Sequence, residues 1–381
     1  MSSRVLLIYK LMIPSVRLCG HCQLEELAAR GAVEYRCRTT MGVSRQDLAW
    51  AETVLMCRLD NPYELRLARL LKQAGKNLVY VMDDDLLNVP ESLASAPYYR
   101  QKQVQESIRG IIGLSDAILS PSPVLLGKYA RDGRRVILLE EPAIDPLPRE
   151  PREPGRPVCI GFAGSVDRAG DIEQLLKDTL LRIHREYGPR VNFTFFGAVP
   201  SFAGELNARC VPYCDSYDAY RSALRELRID IGLAPMPDTP FHACKHYNKF
   251  VEYAAAGCVG VFSDVPPYDR LRSSFGWELL CPNNADAWYA MLTRLIDHPE
   301  ERERMLARQD ELVATAFSVP VIAEQLNQAL NALPHPPERQ VVGGLHLMGM
   351  KALAWLRRIR NGLQRYGLKA PALVLRRLRG R

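Results

Sequence analysis

Short, almost wholly apolar runs recur along the first 145 residues, with helical patterns between them. Strands buried on both faces are predicted by RVLLIY (4–9), TVLMCR (53–58), NLVYVM (77–82), AILSPS (117–122) and RVILLE (135–140). Between the second and third runs, apolar residues repeat at helical spacing after Asn61-Pro62 and before Gly75. Strand, helix and strand joined by short connections predict a parallel sheet, and hence an α/β domain over residues 1–145.

The same pattern restarts after a proline-rich segment. Residues 146–157, PLPREPREPGRP, have no apolar periodicity, which is typical of a linker. Further strands are predicted by VCIGFAG (158–164), VNFTFF (191–196), DIGLAP (230–235) and CVGVFS (258–263), and helices by roughly 285–331. We therefore expect two consecutive Rossmann-like, doubly wound parallel-sheet domains, the second spanning 158–333, with ligands bound at the carboxyl ends of the strands.

Composition agrees with a globular protein in a reducing compartment. The 381 residues are 47% hydrophobic and 24% charged, and the length suits two domains. The ten cysteines show no disulfide-framework spacing. The first apolar run stops at Lys10, too early for a signal segment or a membrane span, so we expect a cytoplasmic protein.

The basic charge of the chain is concentrated in its last segment. The net charge is +7, yet residues 334–381 hold eleven basic residues and a single acid, Glu338. Arginines alternate there with Leu, Met, Trp and Ile, a pattern typical of segments that lie on anionic membranes. Nucleic acid is the competing partner for such charge, but the interleaved apolar residues favour lipid. The sequence predicts a tail that attaches residues 339–381 to the inner face of the cell membrane.

Two stretches of the second domain could bind an anion. In DIGLAPMPDTPFHACKHYNKFVEYAAAG, Lys245, Lys249 and Glu252 share one face if a helix begins by Lys245. Two lysines near a helix start suit a diphosphate, and a carboxylate one turn on can accept hydrogen bonds from a ribose. The alternative is an ordinary solvated Lys/Glu face.

The second stretch, GFAGSVDRAGD (161–171), combines a Gly-Ser turn with a basic residue. Gly164 and Ser165 end a predicted strand, Arg168 follows, and Asp171 is expected to cap the next helix. Backbone amides and a guanidinium in this setting suit phosphate. Taken alone, this pattern also describes any strand–helix unit.

Together these stretches resemble the donor-binding region of retaining glycosyltransferases of the GT-B fold, family 4 in type, in a bacterial surface-polysaccharide subgroup. The resemblance covers about residues 4–331 and implies a nucleotide-sugar donor, a glycan or lipid-linked acceptor, and no metal or other cofactor. It assigns catalysis to Arg168, Lys249 and Glu252, and it implies that Glu252 holds the donor ribose. Donor binding would involve Gly164, Ser165, Arg168, Tyr213, Lys245, Asn248, Lys249 and Glu252. The family usually has a second glutamate eight positions before Glu252, where this chain has Cys244.

The acceptor side of the cleft is expected in the first domain. Asp83, Asp84 and Asp85 follow the third predicted strand, where carboxylates could contact an acceptor hydroxyl; capping the loop and binding a divalent metal are the alternatives. Gly20 and His21, in the loop after the first strand, complete the expected acceptor cleft, with capping of the loop as the alternative for His21.

Two further functions remain open. Cys19 and Cys22 lie in LCGHC, the spacing of a dithiol oxidoreductase, which would need a depressed thiol pKa and a thioredoxin-like domain. The departure at Cys244 leaves room for a catalytically inactive GT-B protein that binds sugar nucleotides or acts as a membrane adaptor.

Overall fold

The computed structural model describes residues 3–130, 134–146, 155–214 and 216–334. Most of the predicted linker and the predicted membrane tail from residue 335 onward lie outside these residues. The twelve strands are β1 Ser3–Tyr9, β2 Val33–Thr39, β3 Thr53–Cys57, β4 Asn77–Val81, β5 Ala117–Ser120, β6 Arg135–Leu138, β7 Val158–Gly164, β8 Val191–Gly197, β9 Arg209–Val211, β10 Ile231–Ala234, β11 Val259–Ser263 and β12 Leu280–Cys281.

Helices separate the strands and cover both sheets. They are α1 Pro14–Val16, α2 Cys22–Ala29, α3 Arg45–Trp50, α4 Pro62–Gln73, α5 Ala96–Tyr99, α6 Lys102–Leu114, α7 Pro123–Tyr129, α8 Ala169–Tyr187, α9 Tyr217–Glu226, α10 Asn248–Ala255, α11 Asp269–Phe275, α12 Ala285–Asp297, α13 Pro299–Thr315 and α14 Val319–Asn331. Among the described residues, no helix has the length and apolar character needed to cross a bilayer.

The two sheets are parallel and have six strands each, which confirms the predicted α/β class. The first has the order β2-β1-β3-β4-β5-β6, and the second β12-β11-β10-β7-β8-β9. The second is therefore Rossmann-ordered, whereas the first has the flavodoxin-like order. In both sheets the order reverses beside the first strand, between β1 and β3 and between β7 and β10. Loops diverge at these two points, and ligands bind there in such folds.

Alternate residues of β1 face opposite sides of the first sheet. Leu6 and Ile8 lie in the core beneath α4 and α6, while Val5 and Leu7 lie in the core beneath α2. Burial on both faces explains why the central strands read as continuous apolar runs. The β2 strand was missed because, at the sheet edge, only Val33 of VEYRCRT is fully buried.

The last helix belongs by its packing to the first sheet, although the sequence analysis placed residues up to 333 in the second domain. Ile322, Leu326 and Leu330 form a stripe on α14 that is buried in the same core as Val5 and Leu7. The chain returns from the second domain to the first beside the segment by which it left the first domain. At this point the Ala143 amide donates to the Phe317 carbonyl at 2.8 Å. Periodicity reveals such a stripe but not the surface that it covers.

Candidate functional site

A cleft of about 920 Å³, open to solvent, lies at the carboxyl ends of the second sheet. Its lining includes all eight residues that the sequence analysis assigned to donor binding. They are Gly164, Ser165, Arg168, Tyr213, Lys245, Asn248, Lys249 and Glu252. Since β7 and β10 are neighbours, the loops that follow them meet at the point where the strand order reverses.

Glycines allow the cleft floor to form between β7 and β8. A Cβ on Gly197, whose φ is +80°, would lie 2.0 Å from the Gly164 carbonyl oxygen. A Cβ on Gly164 would lie 2.9 Å from the ring of Phe162 and 3.4 Å from Lys249 Cε. A side chain at Gly197 would force the two strand ends apart, and one at Gly164 would require the Phe162 ring to move.

Arg168 joins the two loops at the strand reversal. Its Nη2 donates to the Pro235 carbonyl at 2.6 Å and its Nε lies 3.0 Å from Asp171 Oδ2. Asp171 therefore does not cap α8 as expected, because the helix begins at Ala169 and this carboxylate turns to the guanidinium. Burial raises the pKa of Asp171 against the opposing effect of Arg168.

Lys245 reaches the cleft from outside a helix. The expected shared face required a helix that begins by Lys245, but α10 begins at Asn248 and Lys245 is extended. Its Nζ instead lies 2.7 Å from Asp84 Oδ1 of the first domain. This ion pair bridges the two domains across the cleft.

Lys249 and Glu252 form a buried ion pair on α10, beneath the cleft. Only 13% and 6% of the two side chains are exposed, and Lys249 Nζ contacts Glu252 Oε2 directly. The Tyr220 hydroxyl donates to the same carboxylate oxygen at 3.0 Å and lies 3.2 Å from Lys249 Nζ. The three polar groups hydrogen-bond to one another, and Lys249 and Glu252 both line the cleft.

Three tyrosines border the cleft beside this pair. Tyr217 and Tyr220 are stacked, with ring centroids 6.1 Å apart at 18°, and Tyr220 also stacks on Phe196. Tyr213 is half exposed and faces the cleft from the loop after β9. Tyr220 is thus a core residue with its hydroxyl at the site, while Tyr213 presents a free aromatic surface.

Arg58 organises the first two predicted acceptor residues. Its Nη1 lies 2.5 Å from Asp83 Oδ1 and 3.0 Å from Asp84 Oδ2. Burial acts to raise the pKa of Asp84, but Lys245 and Arg58 outweigh it and hold that pKa well below its usual range. Arg58 was missed by the sequence analysis; its only signal is a charge at the end of the apolar run TVLMCR.

None of the five predicted acceptor residues is part of the cleft lining, and three of them also lie apart from Lys245. The buried Asp85 carboxylate pairs with Lys128 and accepts from the Tyr129 hydroxyl at 2.5 Å, away from its two neighbours. Gly20 is buried against Leu7 and Leu55. His21 Nδ1 lies 2.7 Å from the Tyr35 hydroxyl, and its Nε2 lies 3.3 Å from Glu25. Position after a strand end did not distinguish these residues from Asp84, which pairs with Lys245 of the second domain.

Cys244 likewise lies outside the cleft lining. Its thiol donates to the Pro240 carbonyl at 3.3 Å, and the side chain is buried with the core of the first domain. Cys244 is therefore an interdomain packing residue.

No protein-family profile matches the chain, and no curated protein matches its sequence. Solved structures do match over most of its length. A sucrose-phosphate synthase from Thermosynechococcus elongatus is 15% identical over 86% of this chain and 98% of its own, with a TM-score of 0.59. Anabaena Alr3699/HepE, solved in complex with UDP and glucose, is 12% identical over 86% of this chain and 99% of its own, with a TM-score of 0.55.

A third structure, from Listeria monocytogenes, carries the description of a UDP-N-acetylglucosamine 2-epimerase. It is 12% identical over 90% of this chain and all of its own, with a TM-score of 0.54. The chain has the GT-B fold. In GT-B terms, the cleft described above lies in the second domain, facing the first.

The two GT-B domains are also joined by a clasp that the sequence analysis missed. Glu140, just after β6, accepts from the Tyr247 hydroxyl at 2.7 Å and Arg270 Nη2 at 2.7 Å, and lies 3.0 Å from His246 Nε2. Burial acts to raise the pKa of Glu140, but His246 and Arg270 lower it to about 2. Burial acts to lower the pKa of His246, but Glu141 and Glu140 raise it to about 9.

The two cysteines of LCGHC do not have the properties of a redox pair. Both are buried, and burial raises the pKa of Cys22 to about 12 and that of Cys19 well above its ordinary value. A dithiol oxidoreductase requires the opposite shift, because the thiolate is the nucleophile. The motif lies at the start of α2 in a doubly wound domain, a setting that mimics the sequence context of a thioredoxin site.

Proposed function

We propose that this protein is a glycosyltransferase that moves a hexose-type sugar from a nucleotide-sugar donor to a glycan or lipid-linked acceptor. The observation that carries the proposal is the convergence of Arg168, Lys245 and Lys249 at the strand reversal of the second GT-B domain. Sucrose-phosphate synthase is named for a sugar-transfer product, and HepE was solved with UDP and glucose. The UDP and glucose in the HepE structure support a nucleotide sugar as the donor.

Positive charge is the main contribution that the cleft would make to transfer. The departing nucleoside diphosphate gains charge as the glycosidic bond breaks, and preorganised cations stabilise it. In the free protein each cation is paired with a carboxylate: Arg168 with Asp171, Lys245 with Asp84, and Lys249 with Glu252. A diphosphate would compete for these cations, and Glu252, once released from Lys249, could accept the ribose hydroxyls. This mechanism needs no metal in the donor cleft.

The aspartates across the cleft suit acceptor binding better than proton removal. Arg58 and Lys245 stabilise the ionised form of Asp84, which makes it a weak base. Asp83 and Asp84 would then accept hydrogen bonds from acceptor hydroxyls. The departing phosphate would take the proton, in keeping with the retaining outcome and the family 4 relationship that we propose.

An exposed apolar stretch favours an acceptor that carries a lipid. Leu11, Met12 and Ile13 follow β1 and are 64%, 41% and 36% exposed, and the next residue, Pro14, lines the cleft. Consecutive exposed apolar residues are costly unless they meet a partner. Together with the basic tail, they support a peripheral enzyme at the inner face of the cell membrane that builds a bacterial surface polysaccharide.

An epimerase that acts on the nucleotide sugar itself is the second candidate, because the Listeria protein of that description matches almost the whole chain. It would use the same cleft but no acceptor. Incubation of each nucleotide sugar with and without a lipid extract separates the two. Sugar transfer only in the presence of acceptor supports the transferase, and an isomerised sugar without acceptor supports the epimerase. Tight donor binding with neither product indicates a catalytically inactive GT-B protein.

The role of Arg168 tests the proposed mechanism. Arg168→Gln should lower kcat by about 100-fold or more, the usual loss when a group that stabilises transition-state charge is removed. Arg182→Gln is the matched control, because Arg182 lies on α8, the helix that follows Arg168, and pairs at the surface with Glu186. Full activity in Arg168→Gln would contradict the assignment.

A further inference from the structure

The segment that leads into α10 is attached to the first domain at three successive residues. Each side chain of residues 245–247, which we call the strap, contacts a carboxylate of the first domain. The pairs are Lys245 with Asp84, His246 with both Glu140 and Glu141, and Tyr247 with Glu140. The helix begins at the next residue, Asn248, and carries Lys249 and Glu252 at the cleft. The first domain therefore holds the start of the helix that lines the cleft.

The middle residue of the strap, His246, is bound from both sides of its ring. Its Nε2 lies 3.0 Å from Glu140 Oε2, and its Nδ1 lies 3.4 Å from Glu141 Oε2. Only a protonated imidazole has an N–H for each of two carboxylates. Burial acts to lower the pKa of His246, but the two carboxylates raise it to about 9. At neutral pH the ring is therefore a cation that links the strap to two acids.

The groups around the imidazole keep both carboxylates in place. Arg270 of α11 donates to Glu140 Oε1 at 2.7 Å. The thiol of Cys19 donates to Glu141 Oε1 at 3.3 Å. Tyr247 is fully buried, and its ring centroid lies 4.1 Å from that of the imidazole. The contact between the strap and the two acids is therefore buried within the interface of the two domains, where hydrogen bonds to charged groups are strong.

We propose that Glu140 and Glu141 are positioning residues, which hold the start of α10 at the donor cleft through His246. Neither glutamate is part of the cleft lining, so both act on the donor by way of the strap. When the diphosphate takes Lys245 from Asp84, the imidazolium keeps the strap attached. Loss of the ring proton removes one N–H and the positive charge from this link, and thereby weakens donor binding. The inference rests on the proposed function in that the ligand is a nucleotide sugar.

The pH dependence of donor binding by Glu141→Gln tests the proposal. Removal of one carboxylate beside the ring should move the titration midpoint of His246 from about pH 9 to between about pH 6 and 8. NMR of histidine-labelled protein measures this midpoint, and calorimetry with UDP-, GDP-, ADP- and dTDP-sugars measures affinity. The affinity of the variant should match the wild type at about pH 6 and fall about tenfold as His246 loses its proton. The wild-type affinity should stay constant over the same range.

Asp145→Asn is the matched control. The Asp145 carboxylate also joins the two domains, but through Arg221 of α9 at 2.8 Å rather than through the strap. This variant should bind the donor as the wild type does at each pH, and its His246 should titrate at about pH 9. Circular dichroism verifies that each variant is folded, and Glu140→Gln replaces Glu141→Gln if the latter is not.

Two results would overturn the proposal. One is a wild-type His246 that titrates at about pH 6.5, the ordinary value for histidine. The other is a donor affinity in Glu141→Gln that does not follow the His246 titration. If the wild type binds none of the nucleotide sugars, the proposed function fails instead, and the backbone amide signals of α10 then decide the role of the strap. Shifts of these signals together with the His246 titration support the proposal, and signals that do not respond contradict it.

Discussion

Replacing Lys249 should damage both stability and donor binding, and the two effects can be separated. Lys249→Met leaves the Glu252 carboxylate, whose side chain is 6% exposed, with the Tyr220 hydroxyl as its one remaining hydrogen-bond donor among the described residues. Breaking a buried ion pair by removal of one partner costs about 3–5 kcal/mol, because the remaining charge is uncompensated.

The double variant Lys249→Met/Glu252→Gln removes both charges and keeps an acceptor for Tyr220. We expect it to recover stability to within about 1 kcal/mol of the wild type, since neutral pairs replace buried ion pairs at little cost. Donor binding should remain lost, because the cation and the ribose acceptor are both missing.

Urea unfolding followed by tryptophan fluorescence measures the stability term. Trp277 is a suitable reporter, because its ring packs edge-on against Phe250 of α10 at 5.0 Å. Titration calorimetry with a nucleotide sugar measures binding on the same samples. If Lys249→Met is as stable as the wild type, or if the double variant binds donor normally, the reasoning about this pair is refuted.

Three further outcomes are expected. Tyr213→Ala should weaken nucleotide binding by about 1 kcal/mol without loss of stability, because the ring is half exposed at the cleft. Calorimetry measures the binding and thermal unfolding the stability. Unchanged affinity would show that Tyr213 does not belong to the site. Asp84→Asn breaks the interdomain ion pair with Lys245, so donor binding should tighten about fivefold while kcat falls. Weaker donor binding would contradict the proposal that Asp84 and the donor diphosphate compete for Lys245. Burial raises the pKa of Glu64 from 4.5 to about 7. Since the folded state then holds its proton more tightly than the unfolded state, stability should fall by about 3 kcal/mol as pH rises from about 4.5 to 7. The free energy of unfolding of Glu64→Gln, measured over this pH range, should lack that part of the pH dependence. The same pH dependence as in the wild type would contradict the role of Glu64.

The fold was largely predictable because the central strands are buried on both faces. Runs such as TVLMCR and VCIGFAG therefore coincide with β3 and β7 almost to the residue. Of the four edge strands, β6 was predicted from RVILLE and the other three were missed. β2 and β9 are mostly exposed or half-buried, and β12 has only two residues. The packing of α14 on the first sheet depends on a return of the chain over some 170 residues, which no local pattern encodes.

The convergence of the residues assigned to donor binding in one cleft could be predicted from the sequence, but their contacts could not. Arg168, Lys245 and Lys249 were found because they follow strand ends in one domain, where loops must converge. The carboxylates that pair with them were not predicted. Asp84 lies in the other domain, and Asp171 was expected to cap α8. The Glu140–His246 clasp had no sequence signal, because its partners are 106 residues apart.

The most direct test of the central claim is calorimetric titration of the wild-type protein with UDP-, GDP-, ADP- and dTDP-sugars. The account predicts that at least one binds with a stoichiometry of one, and that Lys249→Met/Glu252→Gln abolishes this binding while the protein remains folded. Absence of binding across the set, or equal binding by the double variant, would contradict a donor site in this cleft.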